Sequence, residues 1–162
     1  MTEQFIVRTV EDFNIMLPKW LQEVIRHHYG FIYDALPLII QFHTHIYNRY
    51  DRKHYEIDLV VKSQSPKSSN KTIGFELKRD DFKKACEQAI LRRRMFTFFY
   101  IVMDKCIAKI IDVVRHYRPA LEHGIGIVSS EDDTIIVYSK AGHNKMPENI
   151  NTILQYIDEV IT

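Results

Sequence analysis

EIDLVV at residues 56–61 and IGFELK at residues 73–78 stand on either side of the polar segment SQSPKSSNK at residues 63–71. Apolar and polar side chains alternate in both stretches, which is typical of strands that bury one face. The alternation assigns faces: Ile57, Leu59 and Val61 against Glu56, Asp58 and Val60, and Ile73, Phe75 and Leu77 against Gly74, Glu76 and Lys78. If the two strands pair as a hairpin through the polar segment, Asp58, Glu76 and Lys78 converge at one end of it.

Two carboxylates and one ammonium group at a partly buried strand end suit a hard divalent cation and a phosphodiester. Mg²⁺ prefers one or two carboxylates, retained waters and phosphate oxygens. Asp58 and Glu76 provide the carboxylates, and the main-chain carbonyl of Leu77 is a natural third oxygen ligand. Lys78 is placed to orient the attacking water and to offset charge on the phosphate. The alternative interpretation is a cross-strand salt bridge on a solvated sheet face.

The surrounding pattern predicts a single α/β domain over residues 1–162. Helices are expected over residues 17–29, 80–95, 104–116 and 149–161, and further strands over 43–47, 97–103, 124–128 and 134–138 beside those at 54–61 and 72–78. Residues 34–41 are compatible with a short helix or a strand. The resulting order is approximately αβββαβαββα, a mixed β-sheet flanked by helices.

The EIDLVV and IGFELK stretches resemble the PD-(D/E)xK nuclease superfamily, which implies a restriction-endonuclease-like fold. The resemblance covers about residues 55–103, and Ile57 stands where the family motif has proline. By this resemblance, Asp58 and Glu76 bind Mg²⁺ or Mn²⁺ and Lys78 assists the nucleophilic water. It also implies a catalytic role for Gln88 on the following helix, where Arg92 replaces the tyrosine that many members carry four residues later.

The size of the chain and the absence of a base-reading module make it most similar to the Holliday junction resolvase branch. Resolvase-like members add a glutamate from the first helix to the metal site, and Glu23 is the candidate here, with Glu56 as its competitor. The resemblance also implies DNA rather than RNA as the nucleic-acid partner, with a homodimer as one option.

Positive charge is concentrated near the proposed site although the formal net charge of the chain is only +1. Such a local patch is suited to a phosphate backbone. The residues expected to contact nucleic acid are Arg79, Lys84, Arg92 and Arg93 beside the site, and Lys67 and Lys71 near the polar segment. A solubilising helix surface is the alternative for this patch.

Composition sets the remaining limits on function. The chain has 162 residues, 46% of them hydrophobic, and no apolar stretch near the roughly 18 residues of a membrane span. Its first residues lack the layout of a signal peptide, so we expect a cytoplasmic protein with no membrane partner. Cys86 and Cys106 are expected as buried reduced thiols. The sequence thus predicts a Mg²⁺-dependent nuclease, with recognition of nucleic-acid structure as one option. The alternative is a non-catalytic nucleic-acid-binding module on the same fold.

Overall fold

A computed structural model describes residues 3–48, 51–116 and 122–141. Seven strands of these residues form one sheet in chain order: β1 (Glu3–Val7), β2 (Leu38–Asn48), β3 (Lys53–Ser63), β4 (Thr72–Lys78), β5 (Phe98–Met103), β6 (Gly126–Ser129) and β7 (Thr134–Val137). The helices are α1 (Val10–Met16), α2 (Lys19–Tyr29), α3 (Ile32–Ala35), α4 (Phe82–Arg92) and α5 (Ile107–His116). A 3₁₀ turn (Arg93–Met95) follows α4 directly.

The sheet is mixed, and its strand directions follow from its connections. Neighbouring strands from β1 to β4 are antiparallel, β4, β5 and β6 are parallel, and β7 is antiparallel to β6. A parallel pair needs a crossover connection, and here α4 joins β4 to β5 and α5 joins β5 to β6. The carboxyl ends of β4, β5 and β6 therefore meet at one edge of the molecule.

Helices cover both faces of the sheet and create two hydrophobic cores. One core lies under α4 and α5, and the other lies under α1, α2 and α3. The predicted apolar strand β5 serves both, because Phe99, Ile101 and Met103 pack into the first core while Tyr100 and Val102 pack into the second. The predicted α/β architecture with a helix-flanked mixed sheet is therefore present.

Several boundaries differ from the sequence prediction. An N-terminal strand, β1, and a short helix, α1, precede the predicted first helix, which begins at Lys19 rather than residue 17. Residues 34–41 divide between the end of α3 and the start of β2, which is longer than the predicted strand 43–47. The helix predicted over 149–161 lies outside the described residues. Cys86 is buried, as predicted, but Cys106 is half-exposed.

No helix within residues 3–48, 51–116 and 122–141 combines the length and the apolar character that crossing a membrane requires.

Candidate active site

The candidate site lies where β3 and β4 separate. Backbone pairing between these strands runs from Lys62↔Thr72 to Leu59↔Phe75 and stops there. Beyond the last pair, the Leu77 amide donates to Oδ2 of Asp58 at 2.8 Å. At this point the Asp58 side chain replaces the β3 main chain as the hydrogen-bond acceptor for β4. This hydrogen bond fixes the Asp58 carboxylate beside the strand that carries Glu76 and Lys78.

Asp58 also lies at a break in the alternation of β3. Ile57 packs with Val60 in the core under α4, whereas Leu59 belongs to the core on the opposite face. The prediction that Ile57 and Leu59 share a face is therefore wrong. The partner strand has the left-handed conformation at His43 (φ 49°), between the pairs Phe42↔Leu59 and Thr44↔Ile57, so both strands are irregular at the level of Asp58.

Glu76 is the buried carboxylate of the site, with 5% of its surface exposed. Its Oε1 lies 3.6 Å from Nζ of Lys78. Its Oε2 is buried and has no hydrogen-bond partner among the described residues. Burial and the negative charge of Asp58 raise the pKa of Glu76, although Arg92 and Lys78 oppose the shift. The contacts within the protein therefore do not fully offset the desolvation cost of the ionised Glu76 carboxylate.

Arg92 closes the site from α4. Its Nε lies 4.0 Å from Oε2 of Glu76 and donates to the main-chain oxygen of Glu56 at 3.2 Å. Its guanidinium lies over the ring of Tyr55, 5.2 Å from the ring centre. One turn earlier on the same helix, Oε1 of Gln88 is buried and has no hydrogen-bond partner in the described part of the chain. Arg92 thus reaches Glu76 from α4, and Gln88 lies one turn before it on the same helix.

The donor set fits a magnesium-type cation. In an antiparallel pair the N–H and C=O of one residue point to the same neighbour, so the Leu77 carbonyl is directed to the β3 side like its amide. Two carboxylates, one carbonyl and solvent are the ligands Mg²⁺ prefers, and the orphaned Oε2 of Glu76 is an acceptor that such an ion would satisfy. Within the described residues, no group of three or more His, Cys, Asp or Glu side chains is arranged to hold a metal.

The two other predicted acidic ligands are not brought to this site. Glu23 lies on α2, which packs on the opposite face of the sheet, and its charge helps to raise the pKa of Tyr138, second to burial. Glu56 lies between Tyr55 and Ile57, which both pack on the α4 side, so strand alternation turns it away. Its carboxylate lies 3.3 Å from Nδ1 of His43 instead. The apolar pattern of the first helix identifies its buried side, but it does not indicate which face of the sheet α2 covers.

Three of the predicted nucleic-acid contacts have other roles. Arg93 is buried, at 2% exposure, and donates to four main-chain oxygens, those of Phe96, Thr97, His123 and Lys140. Lys71 donates to the His28 carbonyl at 3.0 Å, and Lys67 pairs with Asp34. Lys71 directly precedes β4, about 20 Å from Lys78 for a seven-residue strand, and Lys67 lies in the loop before it.

Arg79 and Lys84 remain exposed near the carboxyl end of β4, where a phosphate backbone could reach them. Gly74 allows close approach of Phe96 and Phe99, because a Cβ there would lie 2.8 Å from both rings. Sequence reasoning missed Tyr55 as the ring beneath Arg92. Its only signal was its place two residues before Ile57.

Comparisons with protein-family models, with curated proteins and with solved structures found no match to this chain.

Proposed function

We propose that this protein is a metal-dependent nuclease with a PD-(D/E)xK-type, restriction-endonuclease-like centre. The observation that carries the proposal is the convergence of Asp58, Glu76 and Lys78 at the end of the β3–β4 hairpin, where one buried oxygen of Glu76 has no hydrogen-bond partner among the described residues. A salt bridge on a solvated sheet face leaves no carboxylate oxygen buried without a hydrogen bond, so the structural alternative accounts less well for Glu76.

The residues divide into ligands and a positioning group. Asp58, Glu76 and the Leu77 carbonyl would hold Mg²⁺ or Mn²⁺, which supplies Lewis-acid charge beside the scissile phosphate. Lys78, 27% exposed, reaches both Glu76 and solvent, so its ammonium orients the attacking water. The water oxygen forms a bond to phosphorus and gives up a proton to solvent, while one P–O ester bond breaks and the leaving oxygen takes a proton from solvent.

The substrate is a nucleic acid, and we propose DNA rather than RNA, with structure rather than sequence recognised. Arg79 and Lys84 are exposed near the centre and suit phosphate contacts. Arg92 already has Glu76 and the Glu56 carbonyl as partners, so it is a phosphate contact only if it shifts when the cation binds. Gln88 is proposed to hydrogen-bond water or substrate through Oε1, which has no hydrogen-bond partner among the described residues.

A cleavage panel tests the proposal. Linear duplex, single-stranded DNA, a four-way junction and RNA are incubated with Mg²⁺ or Mn²⁺ and wild type, Asp58→Ala or Lys78→Ala protein. Metal-dependent cutting that both substitutions abolish is expected, and the preferred substrate assigns the branch. Binding that is equal in all three proteins without any cutting would instead support the non-catalytic nucleic-acid-binding module.

A further inference from the structure

A groove of about 500 Å³ opens at the carboxyl ends of β4, β5 and β6, on the sheet face opposite α4. Its apolar wall is formed by Trp20, Leu77 and Val102. Trp20 and Val102 belong to the core under α1 to α3, but Leu77 at the strand end is 43% exposed. The groove is therefore an opening in the helical layer, of a volume common for small-ligand sites, at the sheet edge where α/β proteins usually bind ligands.

The rim of the groove is polar and carries both donors and acceptors. Arg79 supplies positive charge, and no carboxylate of the described residues forms an ion pair with it. Asp104 is exposed, and the Ser130 hydroxyl lies 3.4 Å from its Oδ1. A ligand with a flat apolar body, hydrogen-bonding edges and an attached anion is complementary to this arrangement.

The groove is continuous with the proposed catalytic centre through two consecutive residues. Leu77 presents its side chain to the groove and its backbone to the β3 side, where Asp58 accepts from its amide. Lys78 borders the groove, and its ammonium lies 3.6 Å from Oε1 of Glu76, which strand alternation places on the α4 side of the sheet. Leu77 and Lys78 thus connect the groove with the proposed centre around the carboxyl end of β4.

We propose that this groove binds the base and sugar of one unpaired nucleotide adjacent to the scissile phosphate. The inference rests on the proposed function and narrows its substrate class to strands with an unpaired nucleotide at the cut, as in single-stranded or branched DNA. A base inside a duplex is stacked and paired, so it enters such a groove only after unstacking. The base packs against Leu77 and the edge of Trp20, and Arg79 contacts the phosphate.

Trp20 provides a readout that does not depend on cleavage, because it is the only tryptophan of the chain. Metal-free protein in EDTA is titrated with a short single-stranded oligothymidylate and, separately, with the same strand paired in a blunt duplex. Trp20 emission and the fluorescence anisotropy of the labelled strand are recorded together. With the single strand, we expect the change in Trp20 emission and the change in anisotropy to have the same titration midpoint. The duplex should change Trp20 emission far less.

Three variants locate the effect. Ser130→Leu fills the groove and should weaken single-strand binding about tenfold, the scale of one stacked base. Arg79→Ala alters an exposed side chain and should weaken it by a smaller factor, which keeps the test valid if Ser130→Leu does not fold. Lys109→Ala, on the α5 face away from the groove, is the matched control and should bind as wild type.

The outcomes separate this inference from the proposed function. If the strand binds by anisotropy while Trp20 emission stays constant, nucleic acid lies elsewhere, the groove takes another kind of ligand, and the inference is overturned. No binding of either probe also overturns it. Metal-dependent cleavage that is slowed neither by Ser130→Leu or Arg79→Ala nor by an abasic site beside the cut overturns nucleotide binding in the groove. The same result retains the proposed nuclease.

Discussion

Glu76 has the least favourable environment of the acidic residues at the site. It is buried, one oxygen has no hydrogen-bond partner in the described residues, and its pKa is raised by burial and by Asp58. Such a group lowers the stability of the folded protein whenever it is ionised without a cation, because its desolvation is not repaid by hydrogen bonds. Destabilising environments of this kind are typical of sites where proteins give up stability for activity.

The first prediction concerns Glu76→Gln. Without metal at neutral pH, the variant should have a higher Tm than wild type. At pH values between the unfolded-state and folded-state pKa of Glu76, the folded chain binds more protons than the unfolded chain. The free energy of unfolding of wild type, relative to that of the variant, therefore falls as pH rises through this interval. Saturating Mg²⁺ at about 100 times Kd should stabilise wild type by about 2.7 kcal/mol and the variant far less.

Thermal unfolding with and without Mg²⁺, at several pH values, checks this prediction. A variant that is less stable than wild type in the absence of metal would show that Glu76 serves mainly as an ion-pair partner of Lys78 and Arg92. Equal Mg²⁺ stabilisation of both proteins would remove Glu76 from the metal ligands.

Arg92 would compete with the proposed cation for the same carboxylate, since its Nε lies 4.0 Å from Oε2 of Glu76. Arg92→Met should therefore tighten Mg²⁺ binding several-fold, on the order of 1 kcal/mol, and still slow cleavage if the guanidinium contacts the phosphate. Calorimetric Mg²⁺ titration and single-turnover cleavage measure the two effects. Lys84→Met, an exposed position on the same helix α4, is the control and should leave Mg²⁺ affinity unchanged. Weaker Mg²⁺ binding by Arg92→Met would contradict the competition.

At the level of elements, the β2–β3 hairpin extends beyond its neighbours. β1 covers β2 only as far as Phe42, and β4 covers β3 only as far as Leu59. Residues 44–48 and 53–57 therefore form a two-stranded ribbon next to Asp58. Exposed basic and aromatic side chains lie on it or at its turn: His45, Tyr47, Arg52, Lys53 and His54. A β-ribbon of this kind fits a nucleic-acid groove.

Removal of the two basic side chains near the turn of the ribbon tests this surface. Arg52→Ala with Lys53→Ala should weaken nucleic-acid binding similarly for all sequences and reduce the slope of log affinity against log salt by about 1 to 2. Anisotropy titrations at several salt concentrations provide the measurement. Lys67→Ala, in the loop before β4 and paired with Asp34, should bind as wild type. The prediction fails if Lys67→Ala has the larger effect.

On the scale of the whole molecule, Arg93 ties the end of α4 to the far strands. Its guanidinium binds main-chain oxygens before β5, before β6 and after β7. Arg93→Ala should lower the free energy of unfolding by about 3–5 kcal/mol, because buried carbonyls lose their donor. Chemical denaturation is the measurement, with the exposed neighbour Arg94→Ala as the control of small effect. Equal losses in the two variants would contradict the structural role.

The same residue shows where sequence reasoning reaches its limit. The β4 strand and its pairing with β3 were predicted correctly, because alternation and a polar loop are local signals. The burial of Arg93 depends on carbonyls up to 47 residues away, and the irregularity at His43 depends on two strands together. The prediction that Glu23 joins the site was wrong for a similar reason. A helix pattern shows which side of the helix is buried, but not which face of the sheet the helix covers.

The measurement that tests the account most directly is single-turnover cleavage of single-stranded and branched DNA at increasing Mg²⁺, with wild type and Lys78→Met. We predict metal-dependent cleavage by wild type, and a loss of at least about 100-fold in the variant at saturating Mg²⁺. Because Lys78 is not a ligand, calorimetry should show that Lys78→Met still binds Mg²⁺. Cleavage that is independent of Mg²⁺, or unchanged in Lys78→Met, would contradict the assignment of Asp58, Glu76 and Lys78 as a nuclease centre.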